Sequence, residues 1–252
     1  MDDRAWRELD PSHPRYRQVF RTYLAHTDEK ERQRDHLLDV VDGLPRRDVF
    51  VDAGAGTGYF TAALAPRFRR TVAVEPDPAL RGELSAACPG AEVLPVPISA
   101  AAVPEPADLV LCSHVLYYIP EAEWPGHLAA LLSWVRPGGE LVLVLQHPGS
   151  DCVAMARHFG IRTPVLDGAA ALLDDAAAGR PYTARRHVQP ASLRLPDLAT
   201  ALEASELVVG PLDSPDARDT VAAYLREHGA VEPSGGFALS CDQEFLHVRC
   251  DG

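Results

Sequence analysis

The stretch Val51-Asp52-Ala53-Gly54-Ala55-Gly56-Thr57-Gly58 decides how the rest of the chain is read. It follows the apolar run Val49-Phe50-Val51 and precedes residues 59–68, whose composition predicts a helix. Strand, glycine-rich turn and helix in that order let the backbone approach a ligand closely. The helix that follows begins with amides that have no partner inside it. The next apolar run, Thr71-Val72-Ala73-Val74, ends at Glu75. A carboxylate there can accept hydrogen bonds from both hydroxyls of a ribose, so an adenosine-containing ligand is expected at the carboxyl ends of parallel strands.

Glycine spacing separates the possible ligands. Dinucleotide folds use GxGxxG, in which the backbone approaches a pyrophosphate. Here the pattern is GxGxG, with Gly54, Gly56 and Gly58, and Asp52 stands two residues before the first glycine. That carboxylate would repel a pyrophosphate but can hold an ammonium group. S-adenosylmethionine carries an ammonium, a carboxylate and a sulfonium and no phosphate, so it is the expected cofactor. A nicotinamide or flavin nucleotide and a purely structural glycine turn remain alternatives.

Outward from the loop, helices and strands alternate. Residues 79–87 predict a helix and 92–95 a strand. Asp108-Leu109-Val110-Leu111-Cys112 predicts another strand, and residues 121–135 a helix with Trp124, Leu128, Leu131, Leu132 and Val135 on one face. Pro137-Gly138-Gly139 is expected to stop that helix. Leu141-Val142-Leu143-Val144-Leu145 is the most apolar strand. Continuous apolar runs between amphipathic helices predict a parallel sheet covered on both faces. Upstream, Tyr16, Phe20, Tyr23 and Leu24 make one helical face, and Asp28 with Glu31 reads as the start of a second helix ending before Pro45. Downstream, helices are expected at 169–178, 196–207 and 217–227, and strands at 185–188 and 244–248.

Composition narrows the classes. The chain has 252 residues, 24 basic and 36 acidic, for a formal charge of −12, with 46% apolar residues. That apolar content excludes a disordered chain. The negative charge disfavours partners that present phosphate, whether nucleic acid or an anionic membrane. No apolar run reaches the roughly 20 residues that span a bilayer. Met1-Asp2-Asp3-Arg4 is too polar for a secretory signal, so a cytoplasmic location is expected. Cys88, Cys112, Cys152, Cys241 and Cys250 form no CxxC pair, which points to buried fillers and no metal site.

With the motifs VDAGAGTG, AVEPDP, ADLVLCSHVLYYIP and RPGGELVLVLQH over about residues 48–147, the chain resembles the class I S-adenosylmethionine-dependent methyltransferases. The resemblance implies a doubly wound, mostly parallel, seven-stranded Rossmann-like sheet. One domain spans 1–252: an N-terminal helical cover (1–45), a cofactor-binding core (46–190), a lid insertion (191–240) and a final strand (241–252). It implies Asp52, Gly54, Ala55, Gly56, Glu75, Pro76, Ser99 and Ser113 as cofactor-binding residues.

The segment YRQVFRTYLAHTDEKE and the stretch His114-Val115-Leu116-Tyr117-Tyr118 are also similar to histamine N-methyltransferase-like enzymes. There a glutamate, a glutamine and a C-terminal asparagine line an amine site. The glutamate corresponds to Glu29. His114 stands where the glutamine is, and Cys241 or Asp242 falls near the asparagine. The implied reaction is N-methylation of a small amine, with Glu29 and His114 as catalytic residues. Tyr16, Phe20, Tyr117, Tyr118, His147 and Asp242 complete the substrate contacts. Residues 11–30 are expected to close over the acceptor. O-methylation of a small metabolite, and non-catalytic binding of S-adenosylmethionine, stay as alternatives.

Overall fold

The computed structural model describes residues 15–231 and 235–251. Residues 1–14 of the expected cover, including 11–14 of the segment expected to close over the acceptor, lie outside them, as do 232–234 of the expected insertion and Gly252. In chain order the elements are α1 (Tyr16–Ala25), α2 (Glu29–Asp42), β1 (Val49–Ala53), α3 (Tyr59–Leu64), β2 (Arg70–Val74), α4 (Pro78–Ala87), β3 (Glu92–Leu94) and β4 (Ala107–Ser113). There follow α5 (Trp124–Trp134), β5 (Val135–Gln146), α6 (Asp151–His158), α7 (Leu166–Ala170), α8 (Leu173–Ala177), β6 (Tyr182–Gln189) and β7 (Ser192–Leu195). The chain ends with α9 (Leu198–Val209), α10 (Pro215–His228), β8 (Ala230–Val231), β9 (Phe237–Ser240) and β10 (Gln243–Cys250). They divide into two compact units, one of 33–145, 164–188 and 244–251, the other of 15–32, 146–163 and 189–243.

The larger unit holds a seven-stranded sheet in the order β3-β2-β1-β4-β5-β10-β6. Strands β1 to β5 pair in parallel, with Val51 opposite Val72 on one side and Val110 on the other, and Leu111 opposite Val142. Period-two alternation sends successive residues to opposite faces. Val49, Val51, Val72, Val74, Val110, Leu141 and Leu143 pack with Trp124, Leu128 and Leu131 of α5. Phe50, Leu109, Leu111, Val142 and Val144 pack with Leu37, Val41 and Leu44 of α2 and Leu64 of α3. Both faces are dry, which is why these strands read as unbroken apolar runs.

Two local expectations change. Helix α5 already ends at Trp134, and Pro137-Gly138-Gly139 lies inside β5. Register there shifts from Ala107 opposite Val135 to Leu109 opposite Glu140, so the three residues form a bulge. A Cβ on Gly139 would sit 2.7 Å from the Ala107 carbonyl oxygen, which excludes a side chain. The helix expected at 169–178 is two short helices, α7 and α8, the second ended by Ala178 at φ +50°.

The smaller unit packs α1, α6, α9 and α10 with a three-stranded sheet in the order β7-β9-β8. Its antiparallel register sets Leu193 opposite Leu239 and Leu195 opposite Phe237. The side chains of Ser150, Asp197 and Ser214 accept the first free amides of α6, α9 and α10, which removes orphan donors at each start. Tyr23, Cys152, Met155, Leu193, Val221, Leu225, Phe237, Leu239 and Cys241 belong to its core. Asp28 spends its carboxylate on the Ser192 amide (2.7 Å) and the Arg32 guanidinium (3.1 Å). No helix among the described residues is long and apolar enough to cross a membrane, and all five cysteines are buried free thiols.

Candidate active site

In the larger unit the glycine loop joins β1 to α3, and its glycines serve different ends. Gly54 sits at φ +86°, and a Cβ there would run into Val115 Cγ2. The first glycine is thus required by the segment after β4. Gly56 is at φ +55° with nothing within 4 Å of a Cβ, so the loop is open at that point. Its amide donates to Glu75 Oε2 (2.8 Å), and the Asp77 amide donates to Glu75 Oε1 (2.8 Å). An ionised carboxylate has about four acceptor sites. Two are filled here, so Glu75 can still accept from a ribose diol.

Asp52 is buried, and its Oδ2 accepts from the Thr61 hydroxyl at 2.6 Å. Burial, with the Glu75 charge adding to it, pushes its carboxyl up to about 6, although the Thr61 bond pulls the other way. Two carboxylates at adjoining strand ends make a site that disfavours a pyrophosphate and suits a cationic ligand. The Arg81 guanidinium is spent on the carbonyls of Pro76 (2.5 Å) and Glu75 (3.3 Å). Pro76 and Ser99 are exposed, Ser99 in a single 3₁₀ turn. The residues fit S-adenosylmethionine in charge and in open backbone.

At the end of β4, Ser113 accepts from Gln33 Nε2 at 2.6 Å. Gln33 is fully buried and was not anticipated. His114 follows at φ +55°, one of two non-glycine residues described with positive φ. A left-handed histidine is a costly conformation found disproportionately at functional sites. Its amide is tied to the Val144 carbonyl at 2.9 Å, and its ring stacks on Tyr117 with centroids 5.8 Å apart. Tyr117 is half-buried, whereas Tyr118 is 61% exposed.

The remaining candidates belong to the smaller unit. Glu29 is buried and accepts from the Tyr23 hydroxyl at 3.1 Å. Gln146 Nε2 donates to that same hydroxyl at 3.2 Å, giving a relay Gln146–Tyr23–Glu29. Burial raises the Glu29 carboxyl from 4.5 to about 7, against the Tyr23 bond and the Lys30 charge, which lower it. Tyr23 itself is pushed well up by burial and by Glu29, so it stays a phenol and a donor. Burial likewise raises the thiols of Cys152 and Cys241, the latter to about 12. Glu29 therefore has uncharged neighbours in Tyr23 and the two thiols.

Tyr16 stacks on Phe20 (5.7 Å), and Lys30 Nζ lies 5.6 Å from the Phe20 ring. Asp242 Oδ1 accepts from the Ala191 amide (3.1 Å), and its carbonyl accepts from the His147 amide (2.7 Å). His147 Nδ1 accepts from the Gly149 amide (3.2 Å). Asp242 and His147 are thus held together by backbone, each with part of its side chain engaged. Tyr23, Gln146 and Gln33 were missed because their polar partners lie 6, 123 and 80 residues away. Only the glutamate six residues on was open to a sequence reading, and Tyr23 was taken there as one position of an apolar helix face.

A family model described as a methyltransferase domain matches residues 23–209. Over 101 residues the chain is 34% identical to an uncharacterized methyltransferase of Mycobacterium leprae. That stretch covers 38% of this chain and 36% of the relative, so the chain matches about a third of the length of its curated relatives. Among solved structures, a protein from Bacillus halodurans superposes with a TM-score of 0.63 at 13% identity, covering 87% of this chain and 99% of its own. The N-methyltransferase NodS of Bradyrhizobium japonicum, in complex with S-adenosyl-L-homocysteine, gives 0.51 at 16% identity, covering 96% and 90%. The sheet order and the loop after β1 are those of the Rossmann-like fold of S-adenosylmethionine-dependent methyltransferases. Since the family model covers most of the sequence, the chain belongs to the methyltransferase-domain family.

Proposed function

We propose that the chain moves a methyl group from S-adenosylmethionine to the nitrogen of a small-molecule amine. The observation that carries the choice of nitrogen is Glu29, a buried carboxyl brought to about 7 and held by Tyr23. When bound, the cofactor supplies an electrophilic methyl group: the acceptor's lone pair forms the new bond, and the sulfur–carbon electrons stay on sulfur. An amine is a cation near neutral pH, and only its neutral form has that lone pair. A site for it must attract the ammonium and then take a proton. An ionised Glu29 attracts the cation, and a carboxyl titrating near neutrality can also accept the proton. His114 offers a second side chain able to take a proton, by an imidazole nitrogen.

In the larger unit, Glu75 and the Gly54–Gly56 turn would hold the ribose and methionine ends of the cofactor, with Asp52 fixed beneath the loop by Thr61. The histamine N-methyltransferase-like arrangement supports the same roles for Glu29 and His114, with Asp242 as a third contact. The likeness to NodS shows the fold alone.

Transfer to oxygen is the second reading, and Lys30 favours it. This is the chain's one lysine, and it directly follows Glu29. A cation there suits an anionic acceptor. Turnover of cationic amines and neutral phenols by Glu29→Gln and His114→Gln, across pH, separates the readings. The amine reading expects Glu29→Gln to weaken amine binding most and His114→Gln to flatten the acidic limb of the rate profile. If Glu29→Gln leaves every amine untouched, or improves a phenol, oxygen takes the place of nitrogen.

A further inference from the structure

We infer that His36 and His247, in the larger unit and independent of the proposed reaction, form a binding site for a divalent transition-metal ion, with Glu140 orienting His247. The two imidazoles meet through Nε2 atoms 3.1 Å apart, one from α2 and one from β10. His247 is 1% exposed, and its Nδ1 lies 2.7 Å from Glu140 Oε1. A carboxylate only accepts, so Nδ1 carries the proton and the lone pair of His247 is on Nε2, facing His36. Arg185 Nη2 is 3.2 Å from the same Nδ1 and 3.3 Å from Glu140 Oε1. A protonated Nδ1 cannot accept, so the guanidinium's partner is the carboxylate.

The lone pair on His247 Nε2 then has two possible partners. One is an N–H on His36; the other is a metal ion shared by both rings. Two imidazole nitrogens on a tetrahedral zinc, at about 2.0–2.1 Å each, stand roughly 3.3–3.4 Å apart. The observed 3.1 Å is a few tenths of an ångström short of that. A carboxylate bonded to the far nitrogen of a ligand histidine is the usual outer support of such sites, fixing tautomer and ring plane. The His36 ring is also fixed, stacked on His187 (4.0 Å, 6°) with the edge of Phe245 at 4.5 Å.

Among the described residues no group of three His, Cys, Asp or Glu side chains is arranged around one point. Two imidazoles therefore supply the protein ligands, and water completes the shell. A cavity of about 380 Å³ is lined by His247 and Glu140 together with Arg185 and Arg249, and His36 is the partly exposed one of the two imidazoles. Imidazole ligands select zinc, copper, nickel or cobalt over magnesium or calcium. The ion would tie α2 to β10 as a structural clamp. Arg185 and, farther out, Arg249 oppose it, and the response to removing Arg185 gives the site a signature of its own.

The test is calorimetric titration of the full chain with Zn²⁺, with Co²⁺ absorption and melting temperature as parallel readouts. The inference expects saturable one-to-one binding, a tetrahedral Co²⁺ spectrum and a Zn²⁺-dependent rise in melting temperature. His36→Ala should weaken binding at least tenfold and abolish the rise. Glu140→Gln should weaken it about 10- to 100-fold, and Arg185→Gln should tighten it. No saturable binding by the wild-type chain, or equal binding by wild type and His36→Ala, overturns the inference. The His36 variant alters a half-buried side chain, so it decides the matter even if Glu140→Gln fails to fold.

Discussion

Replacing Glu29 with Gln should stabilise the protein at alkaline pH while removing the group proposed to take the acceptor's proton. Glu29 is buried, and its carboxyl titrates at about 7 in the fold against 4.5 ordinarily. A carboxyl whose affinity for a proton rises on folding contributes stability that is fully present below 4.5. That stability is lost as pH rises through 7, because the folded protein must then ionise a buried group. The span from 4.5 to about 7 is worth about 3 kcal/mol, at about 1.4 kcal/mol for each tenfold in proton affinity. Glutamine keeps an oxygen for the Tyr23 hydroxyl and never ionises. Urea unfolding is the assay. At pH 4.5 the two proteins should agree within about 0.5 kcal/mol, and at pH 8.5 the Gln variant should be more stable by about 3 kcal/mol. Identical pH dependence in both proteins would refute the view that Glu29 holds a proton near neutrality.

Other perturbations test separate parts of the account. Tyr23→Phe removes the hydrogen bond that lowers the Glu29 carboxyl, so any rate limb set by Glu29 should move to higher pH; an unmoved profile counts against the relay. Glu75→Ala should cost cofactor affinity roughly 1.5–3 kcal/mol for each charge-assisted hydrogen bond lost, measured by calorimetry, and unchanged affinity contradicts the ribose assignment. Gly54→Ala forces a Cβ onto Val115 at positive φ and should destabilise by about 1–3 kcal/mol; the companion Gly56→Ala meets open space, so chemical denaturation should rank Gly54→Ala as the costlier. Thr61→Val strips the hydroxyl from buried Asp52, which should raise that carboxyl above about 6, as an NMR titration of Asp52 would report.

The larger unit was legible because its elements are local. Val49–Val51, the glycine turn, Thr71–Val74 and Leu141–Leu145 each announce themselves within a few residues, and parallel pairing buries both faces of each strand. Pro137-Gly138-Gly139 misled because the same residues suit a helix stop and a strand bulge, and only the Ala107 carbonyl 2.7 Å away decides between them. The smaller unit was the harder part. Its sheet is built from short strands such as Leu193 opposite Leu239, whose pairing spans 46 residues of sequence. Helix α1 read as an apolar face in need of burial, and its Val19 and Tyr23 are buried, Tyr23 in that unit's core. Glu29 was visible by type and position. Its near-neutral titration was not, because it depends on burial of the carboxyl in the folded chain, which outweighs the Tyr23 hydrogen bond.

The central claim is tested most directly by incubating the purified chain with methyl-labelled S-adenosylmethionine and matched panels of small amines, phenols and carboxylic acids, with products followed by mass spectrometry. The account predicts label on the nitrogen of one or more amines, with one S-adenosylhomocysteine released per methyl transferred and loss of turnover in Glu29→Gln. Label confined to oxygen acceptors, or cofactor bound with no acceptor methylated in any panel, would contradict it.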